Sequence, residues 1–387
     1  MRIVHTSDWH AGRMWKGRDR LPELQDALEH LADFIEREKV DLVLMSGDVF
    51  DSASPPPEAE RAVTRFFKRI GKADIPSVVI AGNHDSPARL EAWGLLAELV
   101  GVHVVGLPRN AADGGLIEIS ARSGQSARIA AVPFAPMGRL VEALTLAQDE
   151  TVARQQYASL MHQMFAAVTD SFAADAVNLL MAHCDVSGAI HSGSERAATL
   201  GDNWAATPQA IPSRAQYVAL GHIHRPQRIQ SASAPTEYAG SPMQLDFGEI
   251  GESKTFVVIE AEPGLPARIT HVPYQGTREL GEFVGRWSEL EARANELRGF
   301  GYLRVHVTLD QPDPDLNRRV RDLLPNVVSV DRIDPEPETT TVIDRPVATA
   351  PPREHFAAFY RRAHQREASA DSLELFDELY FAASSED

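Results

Sequence analysis

Five apolar, β-prone runs in this chain each end on residues that can ligate a metal ion, and that recurrence restricts the fold more than any other feature. Arg2-Ile3-Val4-His5-Thr6-Ser7 leads into Asp8-Trp9-His10, and the run at 40–46 leads into Gly47-Asp48-Val49-Phe50-Asp51. The run at 77–81 ends on Gly82-Asn83-His84-Asp85, that at 177–182 on His183, and that at 217–220 on Gly221-His222-Ile223-His224. Ligand residues at the carboxyl ends of successive strands mark an α/β protein, because such folds gather their binding sites outside those ends.

Helical periodicity fills the gaps between the early strands. Leu24, Ala27, Leu28, Leu31 and Ile35 share one face over 21–39. Ala62, Val63, Phe66, Phe67 and Ile70 do so over 57–70, where Pro55-Pro56-Pro57 places the helix start. Further helices are predicted over 90–100 and 149–173. Beyond residue 100 the strands come closer together with fewer helices between them. This spacing predicts an α/β chain whose two sheets stack on each other with helices outside, a four-layer α/β/β/α sandwich over residues 1–262.

Residues 263–333 read as a small α+β unit: strand 267–274, helix 278–297, strand 302–309, helix 314–324 and strand 327–333. Residues 334–353 are rich in Pro, Thr and acidic side chains and read as a linker. Residues 354–387 carry two short helical faces, one with Phe356, Phe359 and Tyr360, the other with Leu375, Phe376 and Leu379 behind a capping Asp371. Two such helices bury little core alone, so they are expected to dock on a partner.

Composition narrows the function. The chain has 38 basic and 55 acidic residues among 387, a net charge of −17, which argues against capture of nucleic acid by simple charge. Bound cations would offset part of the excess, and a more basic partner would supply grip on an anionic substrate. No apolar run approaches the roughly 20 residues that span a bilayer. The single cysteine, Cys184, excludes an internal disulfide and fits a small buried side chain in a reducing cytoplasm.

Asp8 with His10, and His222 with His224, are i, i+2 pairs expected to share a side of a strand end. Asp48 has two oxygens and can bridge two cations, Asn83 offers an amide oxygen, and His183 a further imidazole. Carboxylate, imidazole and amide donors without a thiolate suit two divalent ions of the manganese, iron or zinc kind in a reactive site. Such a pair clamps a phosphoryl group and holds the nucleophile. His84 is the candidate to contact the phosphate or protonate the leaving oxygen. Asp51 and Asp85 are expected to support imidazoles from behind. Each cluster alone has a duller reading as a turn or packed strand end; the conjunction of all of them points to the metal site. His5, His30, His103, His191 and His271 are assigned to packing or surface. Arg13, Lys16, Arg18 and Arg20 are read equally well as substrate contacts or as a solvated loop.

On these segments, together with Tyr238-Ala239-Gly240-Ser241-Pro242 and Asp246-Phe247, the sequence resembles the calcineurin-like metallophosphoesterases, and among them the SbcD-type DNA nucleases. The resemblance implies one metal held by Asp8, His10, Asp48 and His224, and a second held by Asp48, Asn83, His183 and His222, with His84 catalytic. It implies that the α+β unit caps the site and that the terminal helices bind the coiled-coil base of an SbcC-type ABC ATPase. It further implies a homodimer within a heterotetramer, and a manganese-dependent 3′-to-5′ exonuclease and single-strand or hairpin endonuclease. Some relatives carry a second active-site histidine where this chain has Asp51. The alternatives are a phosphoesterase on small nucleotides or other esters, and a non-catalytic scaffold for the ATPase.

Overall fold

The structure, a computed structural model, describes residues 1–121, 124–136, 139–140, 143–144, 157–195, 205–309, 311, 313–333 and, towards the C-terminus, 353, 356–357, 359–361, 368–370 and 372–377. The chain divides into two units, Met1–Ile333 and Asp334–Asp387. Leu379, Asp371 and residues 334–352 of the expected linker lie outside the described residues.

Parallel strands β1 (Arg2–Thr6), β2 (Leu42–Ser46), β3 (Ser77–Ile80) and β4 (Val102–Val105) are joined by helices α1 (Leu21–Arg37), α2 (Pro57–Lys72) and α3 (Pro87–Ala97). A second sheet is built from β5 (Leu116–Ser120), β6 (Ser126–Val132), β7 (Val177–His183), β8 (Tyr217–Gly221), β9 (Gln227–Arg228) and β10 (Thr236–Tyr238), with helix α4 (Tyr157–Thr169) before β7. Strands β11 (Thr255–Glu260) and β12 (Arg268–Pro273) return antiparallel to complete the first sheet. The orders are β12-β11-β1-β2-β3-β4 and β9-β10-β8-β7-β6-β5.

Alternation along the strands explains the layering, since successive side chains face opposite sides of a sheet. Ile3, Leu42, Leu44, Val78 and Ile80 meet Ile129, Leu179, Met181 and Ala219 between the two sheets. Val4, Val43, Met45 and Val79 face the other way, onto the apolar stripes of α1 and α2. Leu180, Val218 and Leu220 pack against Met161, Met164 and Phe165 of α4. The result is the four-layer α/β/β/α sandwich. No helix among the described residues is long and apolar enough to cross a membrane.

Two expectations for the small α+β unit need correction. The strand placed at 267–274 belongs instead to the edge of the first sheet, where β12 pairs with β11 from Thr255↔Pro273 to Glu260↔Arg268. The helix expected over 278–297 is a strand followed by a shorter helix, β13 (Leu280–Arg286) and α5 (Trp287–Leu297). Two glycines, Gly281 and Gly285, weaken helix in the first half, and pairing with β14 (Tyr302–Thr308) satisfies the backbone there. Strand β15 (Val327–Ile333) completes a parallel three-stranded sheet, with α6 (Leu316–Leu323) before it, around a core of Phe283, Leu290, Leu303, Val305, Val320 and Val327.

Arg20 is corrected as well. It is fully buried rather than solvated, donating from Nε to Glu23 and from Nη2 to the Gln244 carbonyl, with its guanidinium against the rings of Trp15 and Tyr302. It joins the segment after His10 to the α+β unit. In the C-terminal unit Phe356 stacks on Phe376 at 4.4 Å between centroids, Tyr360 packs beside Phe356, and Phe359 and Leu375 are about half exposed.

His5 sits between the sheets, with Nδ1 2.9 Å from the Tyr217 hydroxyl. Glu237, which meets His271 at 2.6 Å, acts on that tyrosine. Burial pushes the His5 imidazole down to about 3, against the Leu220 carbonyl, which favours the charged form. The unfolded chain therefore takes up this proton first, and stability falls as pH drops from 6.5 towards 3. Between pH 7.5 and pH 5, wild type should lose about 2 kcal/mol relative to His5→Gln in denaturant unfolding.

Candidate metal centre

The strand ends carry the ligand residues in a backbone conformation that ordinary side chains avoid. Asp8, His10, Asp48 and His222 have φ of 52°, 47°, 51° and 102°. Such residues cost roughly 1–3 kcal/mol each and persist only where the surroundings over-determine them. Here they do. The amides of Asp8 and His10 donate to the carbonyls of Gly47 and Asp48, zipping the loop after β1 to the loop after β2. Trp9, between the two ligand residues, is fully buried against Phe66 and Phe67, with its Nε1 donating to Thr6 Oγ1 at 2.7 Å. Asp8 and His10 thus converge through left-handed turns beyond β1, which ends at Thr6, rather than through strand alternation.

Three overlapping groups result, each with ligand atoms within 4.8 Å of one another: Asp8, His10 and His224; Asp8, Asp48 and His183; and His10, Asp48 and His84. Asp48 Oδ2 lies 3.7 Å from His10 Nε2 and 3.5 Å from His183 Nε2, so one oxygen faces both sides of the centre. Asn83 Oδ1 accepts within 3.0 Å of His183 Nε2 and 2.9 Å of His222 Nδ1. His10 Nε2 and His224 Nε2 stand 3.1 Å apart. The first sheet thus contributes the two carboxylates, His10 and Asn83, and the second contributes His183, His222 and His224.

The far nitrogens of the imidazoles are held as well. His183 Nδ1 donates to the Ser46 carbonyl at 2.8 Å. His10 Nδ1 faces Asp51 Oδ1 at 3.2 Å, where Arg13 also donates. His84 Nδ1 donates to the Asp51 carbonyl at 2.8 Å, and the His84 ring stands 4.6 Å from that of His10. Asp85 does not support an imidazole: its carboxylate accepts from the amides of Val49, Phe50 and Gly82 and so ties two ligand loops together.

Protonation makes the case for a cation. Burial pushes the Asp8 carboxyl up to about 6, against the His183 and His224 charges. Burial pushes Asp48 the same way, but the surrounding imidazoles, His183 foremost, reverse the effect and hold it well below the usual carboxylate range. Burial would lower His183, yet Asp48 carries it to about 9. Burial brings His10 down to about 4; burial would lower His224 too, but the Glu249 hydrogen bond and the Glu249, Asp8 and Glu195 charges together raise it. The contact between the two Nε2 atoms needs a proton on one ring and a lone pair on the other, and the opposite shifts favour His224 as the donor. A cation bound here takes the place of such protons, because it needs the same atoms deprotonated. Fully buried carboxylates, converging imidazoles and one amide oxygen fit divalent metal.

Sequence reading missed the residues behind His224. Ser194, Glu195, Glu249 and Lys254 converge there from segments without periodicity, and only their proximity in the fold reveals them.

A two-sheet α/β sandwich with carboxylates, imidazoles and an amide gathered on the loops at its strand ends is a metal-dependent hydrolase of the phosphoesterase class. Residues 1–226 match the model of the calcineurin-like phosphoesterases, and residues 276–364 match a type 5 capsule protein repressor C-terminal domain. The SbcD component of the nuclease SbcCD of Bacillus subtilis is 37% identical over 265 residues, covering 68% of this chain and 67% of the relative. The corresponding SbcCD nuclease components of Rhodobacter capsulatus and Escherichia coli K12 are 32% and 29% identical, over 81% and 84% of this chain and 81% and 82% of their own lengths. The chain belongs to the calcineurin-like phosphoesterase family, in the branch of the SbcD nuclease components.

Gly82 shows how closely the loops are packed. A Cβ there would lie 2.2 Å from Asp48 Oδ1 and 2.3 Å from the Asp48 nitrogen. Gly82→Ala should therefore displace Asp48, lower the divalent metal retained per chain by elemental analysis, and cost about 1–3 kcal/mol in denaturant unfolding.

Proposed function

We propose that the chain is a manganese-dependent DNA phosphodiesterase that trims duplex ends 3′ to 5′, nicks single-stranded or hairpin DNA, and works with an SbcC-type ATPase. The observation that carries the chemistry is the placement of His84 beside a buried cradle in which Asp48 Oδ2 faces both His10 and His183. Asp8, His10, Asp48 and His224 are proposed to hold one ion, and Asp48, Asn83, His183 and His222 the other. A pair of divalent cations there would screen the phosphoryl charge and lower the pKa of an attacking water.

The remaining work belongs to the chain. The Asp51 carbonyl accepts from His84 Nδ1 and thereby fixes that nitrogen as the protonated one. Nε2 is then the atom that meets the substrate; with the ring in its imidazolium form, Nε2 would give its proton to the departing 3′ oxygen and leave the neutral Nδ1–H ring on the Asp51 carbonyl. The Asp48 Oδ1 atom accepts from the His84 amide at 2.8 Å, so the same carboxylate that serves the metal cradle also sets the His84 backbone. Asp51 faces His10 through its carboxylate and His84 through its carbonyl, which couples ligand and catalytic histidine in one turn.

The partner reading rests on the C-terminal unit and on the names of the relatives. Phe356, Phe359, Tyr360, Leu375 and Phe376 are proposed to present apolar side chains to the coiled-coil base of the ATPase, whose charge would compensate the −17 of this chain. Homodimerisation is proposed through Leu95, Leu96 and Leu99, which are 75%, 72% and 84% exposed at the end of α3 and the turn after it. A second copy would cover this apolar patch.

His84→Gln should lower manganese-dependent cleavage of end-labelled duplex by about 100-fold or more, while manganese bound per chain is unchanged. Chelation should abolish wild-type cleavage. Hydrolysis of a small aryl phosphodiester without any cleavage of DNA, even with the ATPase present, would count against the nuclease reading.

A further inference from the structure

Behind His224 lies a buried ion pair that the proposed chemistry does not use. Glu249 is fully buried, and its Oε2 accepts from Lys254 Nζ at 2.6 Å and from the Leu245 amide at 3.0 Å. Lys254 is itself nearly buried and also donates to the backbone carbonyl of His224 at 2.9 Å. The other Glu249 oxygen accepts a hydrogen bond from the Ser194 hydroxyl. Ser194 Oγ lies 2.6 Å from His224 Nδ1, and Glu249 Oε1 lies 3.3 Å from the same nitrogen.

These contacts admit one arrangement of protons. The Ser194 hydroxyl spends its hydrogen on Glu249, so it accepts from His224, and His224 carries a proton on Nδ1. Nε2 is then the atom directed at His10 and Asp8. A carboxylate behind a ligating imidazole fixes its tautomer and ring orientation and raises its basicity. An isolated buried carboxylate would be too costly to retain, and Lys254 removes that cost while gripping the His224 backbone. By contrast, the His183 ring on the other side of Asp48 leans on the neutral Ser46 carbonyl.

We propose that Glu249, neutralised by Lys254 and relayed through Ser194, is a positioning residue for the cation site formed by Asp8, His10 and His224, and for that site alone. This rests on the reading that the chain binds two ions.

The test is a titration of manganese chloride into the metal-stripped full-length chain, with free manganese followed by electron paramagnetic resonance. Wild type should take up two ions; one ion or none would overturn the two-ion reading itself. Glu249→Gln combined with Lys254→Met removes both charges of the pair, and Glu252, which Lys254 also contacts at 2.9 Å, keeps Arg225 at 4.0 Å. The double variant should weaken one binding step by about 10- to 100-fold and leave the other unchanged. Ser194→Ala keeps the ion pair intact and should weaken the same step, which preserves the test if the double variant does not fold. In a His183→Gln background, which removes a donor of the other site, the step that survives should be the one these substitutions weaken. Two wild-type ions with both steps unaffected, or both lowered equally, would overturn the proposal while leaving the two-ion reading intact.

Discussion

Two fully buried carboxylates, Asp8 and Asp48, face each other's imidazole partners across the seam between the two sheets, and much of the structure serves to hold them there. Charges without water are costly unless they are paired and hydrogen-bonded. Each carboxylate accepts a backbone amide from a neighbouring ligand loop: His222 donates to Asp8 at 3.1 Å, and His84 donates to Asp48 at 2.8 Å. The four imidazoles from both sheets then surround them. Against burial, Asp48 favours the charged form of His183 and Glu249 that of His224, and divalent cations are the natural replacement for such protons.

That arrangement depends on the sandwich being rigid on both sides. The loops after β1 and β2 are zipped to one another, and Asp85 clamps the loops after β2 and β3 through three backbone amides. Trp9 anchors the first loop in the core under α2. The α+β unit joins the same scaffold through Trp15, Phe247, Leu280 and Tyr302, which form a small apolar junction around buried Arg20. Trp15 follows His10 by five residues and Phe247 precedes Glu249 by two, so the junction lies close along the chain to both supports of the first cation site.

How much of this was legible in the sequence follows from the range of each interaction. The sheets and outer helices announce themselves because alternation and helical periodicity are local, as with Val4 against Ile3 or the α2 stripe from Ala62 to Ile70. The ligand residues stand out because each follows a recognisable strand. Other features depend on contacts between distant segments. Asp85 reads as an imidazole partner until the Val49 and Phe50 amides are seen beside it. Glu249 and Lys254 lie in irregular chain with no period to mark them, and meet His224 only after folding. Residues 280–286 read as the first half of a helix, and pairing with β14 decided for strand. Arg20 looked like one more charge in a basic loop, although the rings of Trp15 and Tyr302 enclose it.

The most direct test of the account is anomalous diffraction at the manganese edge from crystals of the chain grown with manganese. Two peaks about 3.5–4 Å apart, on either side of the Asp48 carboxylate and within reach of His10 and His183 respectively, are the predicted result. A single peak, or density away from Asp48, would contradict the claim that these buried carboxylates are gathered to hold two ions.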